Sequence, residues 1–325
     1  MPGELSREKA ARPATVIAGL ALLAVVCAIL FMTLNVRGRP DIVLPLRAVK
    51  LASLVLVGYA VAVSTVLFQT VTGNRILTPA VMGLDALFGL IQTLAVFLFS
   101  ASPFADLGRP LLFLIESATL VLSAVFLYRR FILDDGRSLH VLLLCGIVAG
   151  TFFRSLTSML QRMINPNDFV LLQDRLFANF NTVQRDLLGL TAVVIVVVSI
   201  LGWRMRHVFD VLALGRDPAI ALGIDYRATV LRVLVLVTVL VSVSTALVGS
   251  ILFFGLLVAS LAHLIARTHR HAVLLPVAAL IAVIALIGGQ SVLERVFAFN
   301  TALSIIIEFA GGVVFLTLLV RGAAR

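Results

Sequence analysis

Long apolar runs dominate the chain, and short stretches with charged residues, glycine or proline separate them. Each run is long enough for an α-helix to cross a bilayer, which takes roughly 20 residues. The alternation of apolar and polar residues that marks a membrane β-barrel is missing from stretches such as 193–200. The pattern predicts an all-α polytopic membrane protein with about ten transmembrane helices. The predicted spans are 14–34, 45–70, 79–98, 110–128, 139–161, 187–204, 228–249, 251–267, 272–288 and 301–321.

At two places in this pattern, the sequence allows more than one interpretation of an apolar run. The first apolar run, 14–34, exceeds the roughly 7–15 residues of a signal-peptide core, so we predict a span there. Residues 1–13 then form a cytoplasmic tail, and 14–321 form a single transmembrane domain. Near Gly249–Ser250 two apolar stretches almost touch, so 251–267 is either a full span or a broken, re-entrant helix.

Composition and charge agree with a membrane protein. The chain is 61% hydrophobic and 13% charged, whereas a soluble domain carries roughly 25% charged residues. The net charge of +10 comes without a basic patch interleaved with aromatic residues, so nucleic acid is not an expected partner. Cys27 and Cys145 both lie inside apolar spans, which predicts small hydrophobic residues rather than a disulfide or a metal site.

The distribution of lysine and arginine predicts the orientation. With the N-terminus in the cytoplasm, inner segments hold about 16 of the 26 basic residues and outer segments about nine, while Arg154 lies inside a span. Because cytoplasmic loops are enriched in basic residues, both termini are predicted to be cytoplasmic.

Two loops are long enough to form structure of their own. The outer loop, 161–186, mixes aromatic, amide and charged residues. The inner loop, 205–227, predicts two short helices, 208–214 and 218–222, broken at Gly215 and with Asp217 as the N-cap of the second. A helical cytoplasmic loop is a surface on which another protein can act.

Several chemical signatures are absent from the sequence. It has no GxxxxGK[ST] loop, HExxH or CxxC motif, so ATP hydrolysis, a cofactor and a metal site are not expected. Transport is therefore favoured over catalysis. Two alternatives stay open: an ion-coupled secondary transporter, which needs a carboxylate near the membrane midplane, and a membrane-embedded enzyme, which needs a convergent polar cluster.

The segment 47–85 carries a series of motif residues. It resembles the second and third spans of the iron-chelate and cobalamin permeases of ABC transporters, the FecCD type, and this resemblance implies their importer permease fold. The matching residues are Arg47, Lys50, Gly58, Gln69, Asn74, Pro79 and Gly83.

A second match covers 212–267, where LALGRDPAIALGID resembles the coupling loop of that family and GSILFFGLLVASLAHLIAR resembles a glycine-rich stretch that follows it. Gly311–Gly312 forms a third, less specific match. The chain has Ala259–Ser260 where the common permeases have Pro-His. Together with the outer loop, this departure is similar to a subgroup associated with catecholate-type siderophores.

The resemblance implies contacts with two other proteins. A substrate-binding protein, periplasmic or lipid-anchored, would dock on Arg47, Lys50 and Arg295, although Arg47 and Lys50 could instead only extend to the membrane interface. A separate ABC ATPase subunit would bind the inner loop. The residues implied in that contact are Leu214, Gly215, Arg216, Ala219 and Gly223.

The resemblance also places an inner gate at the start of the fifth span. The implied gate and pathway residues are Ser64, Gln69, Ser138, Leu139 and His140. Further hydroxyls predicted along a mostly apolar pathway are Thr65, Ser158 and Thr301. Such a pathway suits a bulky chelate better than a bare ion, which would need a ring of carboxylates.

Three charged residues lie at comparable depth inside spans. Because a charge in hydrocarbon is costly unless it is paired, we expect Arg154 to pair with Glu116 or Glu308. Asp85 follows the turn at Gly83, and the sequence allows either a helix cap or a side chain that faces the pathway.

Taken together, these features predict a permease in the inner membrane of a bacterium. We expect it to pair with a second copy of itself or with a related permease, and to carry a ferric siderophore.

Overall fold

The computed structural model of the protein describes residues 13–34, 39–99, 109–132, 139–298 and 301–323. In this part of the chain the secondary structure is helical, apart from one isolated bridge between Phe177 and Ser250. A short 3-10 helix, Pro79–Met82, precedes the third α-helix. The α-helices are α1 Pro13–Thr33, α2 Pro40–Thr72, α3 Leu84–Phe99, α4 Arg109–Ile132, α5 Leu139–Gln161, α6 Pro166–Leu176, α7 Arg185–Arg204, α8 Arg206–Leu212, α9 Arg216–Ala221, α10 Tyr226–Val248, α11 Phe254–Ala266, α12 His271–Arg295 and α13 Leu303–Ala323.

Each of the ten predicted spans corresponds to one of these helices. Among the described residues, seven helices are long and apolar enough to cross a membrane: α1, α2, α4, α5, α7, α10 and α12. The prediction of an all-α, multi-pass membrane protein is confirmed. Helix α11 has only 13 residues, or about 20 Å at the usual rise, so the predicted span 251–267 is a shortened helix and not a full span.

Helices α2 and α10 form the centre of the molecule, and α12, α4 and α7 pack around them. The close contact between α2 and α12 depends on Gly58. A Cβ atom at this position would lie 3.2 Å from Leu286 Cδ1 and 3.4 Å from the Ala282 carbonyl carbon. This motif glycine therefore lets the two helix backbones approach each other, as small residues do in membrane bundles.

The 3-10 helix packs directly on α5 through three glycines. A Cβ atom on Gly146 would lie 2.9 Å from Met82 Cα, and one on Gly83 would lie 2.9 Å from Gly150 Cα. Gly146 and Gly150 form a GxxxG pattern on α5 that brings two backbones together. This contact fixes where α3 begins.

A non-helical segment, Gly249–Phe253, separates α10 from α11. Gly249 has a φ of 100° and Phe253 a φ of 56°. The segment after α6 lies beside it, and the Asn179 N–H donates to the Val248 carbonyl at 2.7 Å. Backbone groups freed by the helix break therefore find partners inside the protein, which a membrane interior requires.

The two long loops are helical, in part differently from the sequence prediction. In the outer loop, the Asn165 side chain caps α6 by accepting from the Asn167 N–H. In the inner loop, α8 begins and ends two residues earlier than predicted. Asp217 lies within α9, and the N-cap is Gly215, whose φ of 101° favours glycine. The predicted capping role of Asp217 is thus wrong, and its carboxylate instead lies in the first turn, where a negative charge is favourable.

Candidate functional site

At one end of the bundle, the basic residues predicted to dock a binding protein contact helix ends. The guanidinium of Arg47 donates to the carbonyls of Phe31 at 2.9 Å and Leu34 at 2.8 Å. Arg295 also reaches α1, where it donates to the Leu30 carbonyl at 3.5 Å. Both arginines satisfy carbonyls that the C-terminus of α1 would otherwise leave without partners.

Lys50 forms a salt bridge on the same face. Its Nζ atom lies 2.7 Å from Glu294 Oε1, and both side chains are largely shielded from solvent, with relative exposures of 17% and 15%. The three predicted docking cations therefore tie α1, α2 and α12 together. Arg295 is the most exposed of the three.

At the opposite end, the inner loop projects apolar side chains outward. Leu214 is 61% exposed, and Gly215, Arg216 and Gly223 are also exposed. Ala219, by contrast, is fully buried, so it holds α9 against the bundle and does not offer a contact surface.

Two further residues of this loop were missed by the sequence analysis. Ile220 and Leu222 are 49% and 63% exposed. The sequence feature that could have identified them is the helical periodicity of α9, in which Ala219 faces the bundle and its neighbours in sequence face outward. Apolar side chains that project from the polar end of a membrane protein mark a contact surface for another protein.

A hydrogen-bonded group joins the inner loop to the bundle. Asp210 on α8 accepts hydrogen bonds at Oδ1 from the His271 N–H and interacts with the ring Nδ1, each at 2.7 Å. The other ring nitrogen of His271 lies 2.7 Å from the Thr70 hydroxyl on α2. We name Asp210, His271 and Thr70 the loop anchor, because they connect α8, α12 and α2.

The electrostatics of the loop anchor keep its carboxylate ionised. Burial by itself would raise the pKa of Asp210, but the hydrogen bonds from His271 outweigh burial, and the pKa lies below its ordinary value. The charge on Asp210 is therefore present at cellular pH. The sequence alone does not reveal this group, because its three members are far apart in the chain.

Of the predicted gate and pathway residues, the structure describes the side chains of Ser64 and Gln69, and each makes a local contact. Ser64 is fully buried, with its hydroxyl bonded to the Val61 carbonyl at 3.0 Å. Gln69 holds the turn after α2 by donating to the Arg75 carbonyl at 2.6 Å. Ser138 lies outside the described residues, as do the side chains of Leu139 and His140. Their predicted role stays a prediction.

Asp85 connects α3 to the break between α10 and α11. Its Oδ1 atom accepts a hydrogen bond of 2.5 Å from the Ser250 hydroxyl. A small cavity of about 40 Å³ adjoins it, with Ser64 and Thr65 in its wall. Asp85 lies in the first turn of α3, lines this cavity and holds the non-helical segment through Ser250. Both roles left open by the sequence therefore stay predictions.

The three charged residues that were expected to pair are arranged differently. Glu116 accepts a hydrogen bond from the Gln92 amide at 2.7 Å. Within the described residues, Arg154 forms no ion pair with either glutamate.

Helix α5 presents a polar face to the outside of the chain. The residues Thr151, Arg154, Ser155 and Ser158 recur at helical spacing and are all exposed. The hydroxyls of Thr151 and Ser155 bond back to carbonyls of their own helix, at 2.9 and 3.0 Å. An exposed arginine within a membrane-spanning helix is too costly to face lipid, so this face requires a polar neighbour.

Comparison with known proteins agrees with this architecture. The sequence pattern of the FecCD transport family matches residues 15–321. The chain is 46% identical, over 305 residues, to the petrobactin import system permease protein YclO of Bacillus subtilis strain 168, which covers 94% of this chain and 96% of that protein. It is 33% identical to the petrobactin import system permease protein FatC of Bacillus anthracis over 278 residues, or 86% of this chain and 78% of that protein.

A solved structure of a metal-chelate type ABC transporter in an inward-facing conformation has the same fold. The TM-score is 0.83 at 22% identity, and the match covers 95% of this chain and 99% of that chain. The resemblance inferred from the motif residues is thereby confirmed. The chain belongs to the FecCD transport family and is a multi-pass transport permease, not an enzyme.

Proposed function

We propose that the protein is the permease subunit of an ATP-binding-cassette importer that carries a ferric siderophore across the cytoplasmic membrane of a bacterium. The observation that carries the proposal is the polar face of α5, with Arg154 exposed among apolar residues. A permease needs such a face, because substrate and water pass along it. Membership of a transport family and the likeness to two petrobactin import permeases support the class of substrate.

A second permease completes the pathway in this proposal. The α5 faces of the two subunits, from two copies of this chain or from this chain and a related permease, would enclose the pathway between them. Ser158 would then line the space between subunits, while Ser64 and Thr65 would lie deeper, beside Asp85. Arg154 would face water and its partner subunit, which removes the cost of a charge in lipid.

The coupling loop would bind the ATPase subunit. Leu214, Ile220 and Leu222 would insert into a groove on that subunit, with Gly215 and Gly223 shaping the turns and Arg216 at the rim. Both termini would lie on the same, cytoplasmic side. The loop anchor supports this assignment, because it gives the loop a firm connection to α2 and α12.

The opposite face would receive a binding protein that is periplasmic or anchored to the membrane by a lipid. Arg47, Lys50 and Arg295 supply its positive charge. Since two of these residues also cap α1, acidic residues of the binding protein would share them with helix carbonyls. Such contacts favour orientation and association rate more than affinity. The departure at Ala259–Ser260 favours a catecholate-type siderophore.

Uptake into proteoliposomes tests the proposal. The chain is reconstituted with its permease partner, the ATPase and the binding protein, and uptake of ferric petrobactin is followed with radioactive iron. We expect uptake that requires ATP and all components. The variant Leu222→Glu should lose both uptake and co-purification of the ATPase, whereas Val170→Glu, on the exposed surface of α6 at the other end, should retain both.

Two results would contradict the proposal. Uptake that proceeds without the ATPase and follows an ion gradient would indicate a secondary transporter. No uptake of any ferric siderophore, with ATPase activity intact, would show that the substrate class is wrong.

A further inference from the structure

A cavity of about 410 Å³ with polar and apolar lining lies at the end of the molecule that carries Lys50 and Glu294. The segment that follows α6 forms one wall, and the end of α12 with the start of α13 forms the other. Its polar lining consists of Asp174, Asn179, Asn181, Gln290 and Thr301. We name it the amide cavity.

Gln290 is the buried member of this lining. Its side chain is fully shielded, and its Nε2 donates to Asn181 Oδ1 at 3.2 Å and to Glu294 Oε1 at 2.9 Å. Both amide protons are thereby used, and Oε1 has no hydrogen-bond partner within the described residues. A buried acceptor without a partner is unfavourable, so this oxygen is suited to a donor from outside the chain.

The opposite wall also offers an acceptor. Asp174 lies on α6, is exposed, and forms neither a hydrogen bond nor an ion pair in the part of the chain that is described. Phe177, 43% exposed, lies next to it at the rim. The cavity therefore combines a carboxylate, an unused amide oxygen and an aromatic surface. Asp174 and the Gln290 oxygen are suited to groups that donate hydrogen bonds.

The position of the cavity relates it to the predicted docking face. Glu294 bonds both to Gln290 and to Lys50, so one chain of hydrogen bonds runs from the cavity to a residue expected to contact the binding protein. The volume lies at the lower end of the roughly 300–1,000 Å³ of small-molecule sites. It accommodates a part of a bulky chelate and not the whole of it.

We propose that the amide cavity is the first binding site for the substrate on the permease, where Asp174 and Gln290 accept hydrogen bonds from N–H or O–H groups at the periphery of the ferric chelate. The inference rests on the proposed function. It adds which residues take the chelate from the binding protein and which chemical groups of the chelate they recognise. Thr301 lies in the same wall and supplies a hydroxyl.

The test uses the complete importer in proteoliposomes with ferric petrobactin as the probe. Asp174→Asn removes the negative charge and keeps the shape, and Asp168→Asn makes the same change on the same helix outside the cavity. For Asp174→Asn we expect about a tenfold rise in the KM of uptake. The Asp168→Asn variant should retain the KM of the wild type. Stimulation of ATP hydrolysis by the empty binding protein should be unchanged in both variants, because it requires docking but no chelate.

A second variant, Thr301→Val, removes a hydroxyl from the other wall and should raise the KM by a smaller factor. The proposal is overturned if wild-type uptake is measurable and both cavity variants retain its KM. It is also overturned if stimulation by the empty binding protein falls in Asp174→Asn, since the cavity would then contact that protein. Absence of uptake in the wild type would instead contradict the proposed function.

Discussion

A single contact explains why position 146 requires glycine. The backbone of Met82 lies where a Cβ atom would have to be, at 2.9 Å, and both partners are backbone that cannot move aside like a side chain. Gly189 on α7 is also helical, but no heavy atom lies within 4 Å of its Cβ position. Comparing an alanine substitution at each of the two positions therefore separates the steric effect of the added methyl group from its effect on helix propensity.

We expect Gly146→Ala to destabilise the protein by about 1–3 kcal/mol, because overpacking forces the 3-10 helix away from α5. Gly189→Ala should be neutral or slightly stabilising, since alanine is the better helix former. Thermal unfolding in detergent, followed by loss of the monodisperse species, measures both variants. Equal stability of the two variants would contradict the close contact.

Ser250 is the partner of Asp85 at the helix break. Removing its hydroxyl with Ser250→Ala leaves a partly buried carboxylate short of one donor, which should cost about 1–3 kcal/mol. The expected result is a lower unfolding temperature and slower uptake. Ser291→Ala serves as the control, because the Ser291 hydroxyl bonds only to the Ile287 carbonyl of its own helix. An unchanged unfolding temperature for Ser250→Ala would show that this bond does not hold the segment.

Helix α8 is short, and its attachment to the bundle depends on the loop anchor. Asp210 receives two hydrogen bonds from a single residue of α12, so a force on the loop reaches the start of that helix directly. Thr70 extends the connection to α2, but its hydroxyl also bonds to the Val66 carbonyl of its own helix at 2.9 Å. The contribution of Thr70 should therefore be the smaller one.

We expect Asp210→Ala to reduce the amount of siderophore transported per ATP hydrolysed, because the loop loses its fixed position while its exposed surface is unchanged. Thr70→Val should have the same effect to a smaller extent. The measurement is uptake and ATP hydrolysis in the same proteoliposomes. Loss of both activities together, in proportion, would indicate a general folding defect and not a loss of coupling.

The helices themselves were predictable because their apolar runs are long and uninterrupted. The break between α10 and α11 was left open, because Gly249 and Ser250 do not show by themselves whether a helix stops. The end positions of α8 and α9 were missed for a related reason: the φ of Gly215 fixes the cap, and Asp217 is equally compatible with the first turn. Motif residues such as Gly58 were found by resemblance, and their packing reason appears only in three dimensions.

The partners of charged residues could not be predicted from depth along the spans. Arg154, Glu116 and Glu308 lie at similar depth, yet Glu116 bonds to Gln92, and within the described residues Arg154 forms no ion pair with either glutamate. Which residues meet depends on helix rotation and on the close approach at Gly146 and Gly150. A single sequence carries no information on either.

At the scale of the whole molecule, the helices on the outer surface of the chain differ in the polarity of the side chains that they expose. Helix α7 exposes apolar residues, among them Val193 at 62%, whereas α5 exposes hydroxyls and an arginine beside apolar side chains such as Phe152, also at 62%. Lipid satisfies the first surface but not the second. We therefore expect a second permease subunit to cover this face of α5, as proposed above.

We expect a cysteine at Ser158 to be cross-linked between the two permease subunits, after Cys27 and Cys145 have been replaced by serine. If the pair consists of two copies of this chain, Ser158→Cys alone gives a covalent dimer with a bifunctional thiol reagent. With a related permease, a cysteine at the aligned position of its fifth span is also needed. Val193→Cys on α7 should give no dimer under the same conditions, and a dimer from Val193→Cys alone would contradict the arrangement.

Helix α2 has 33 residues, or about 50 Å at the usual rise, which exceeds the roughly 30 Å of the hydrocarbon core. Lys50 near one end bonds to Glu294, and Thr70 near the other bonds to His271. These two contacts are both with α12, so α2 and α12 are fastened to each other at the two membrane surfaces. The two contacts therefore fix the rotation of α2 relative to α12. One residue inserted between positions 58 and 66 would turn one end of α2 by about 100° relative to the other. Either the contact with Glu294 or the contact with His271 would then be lost.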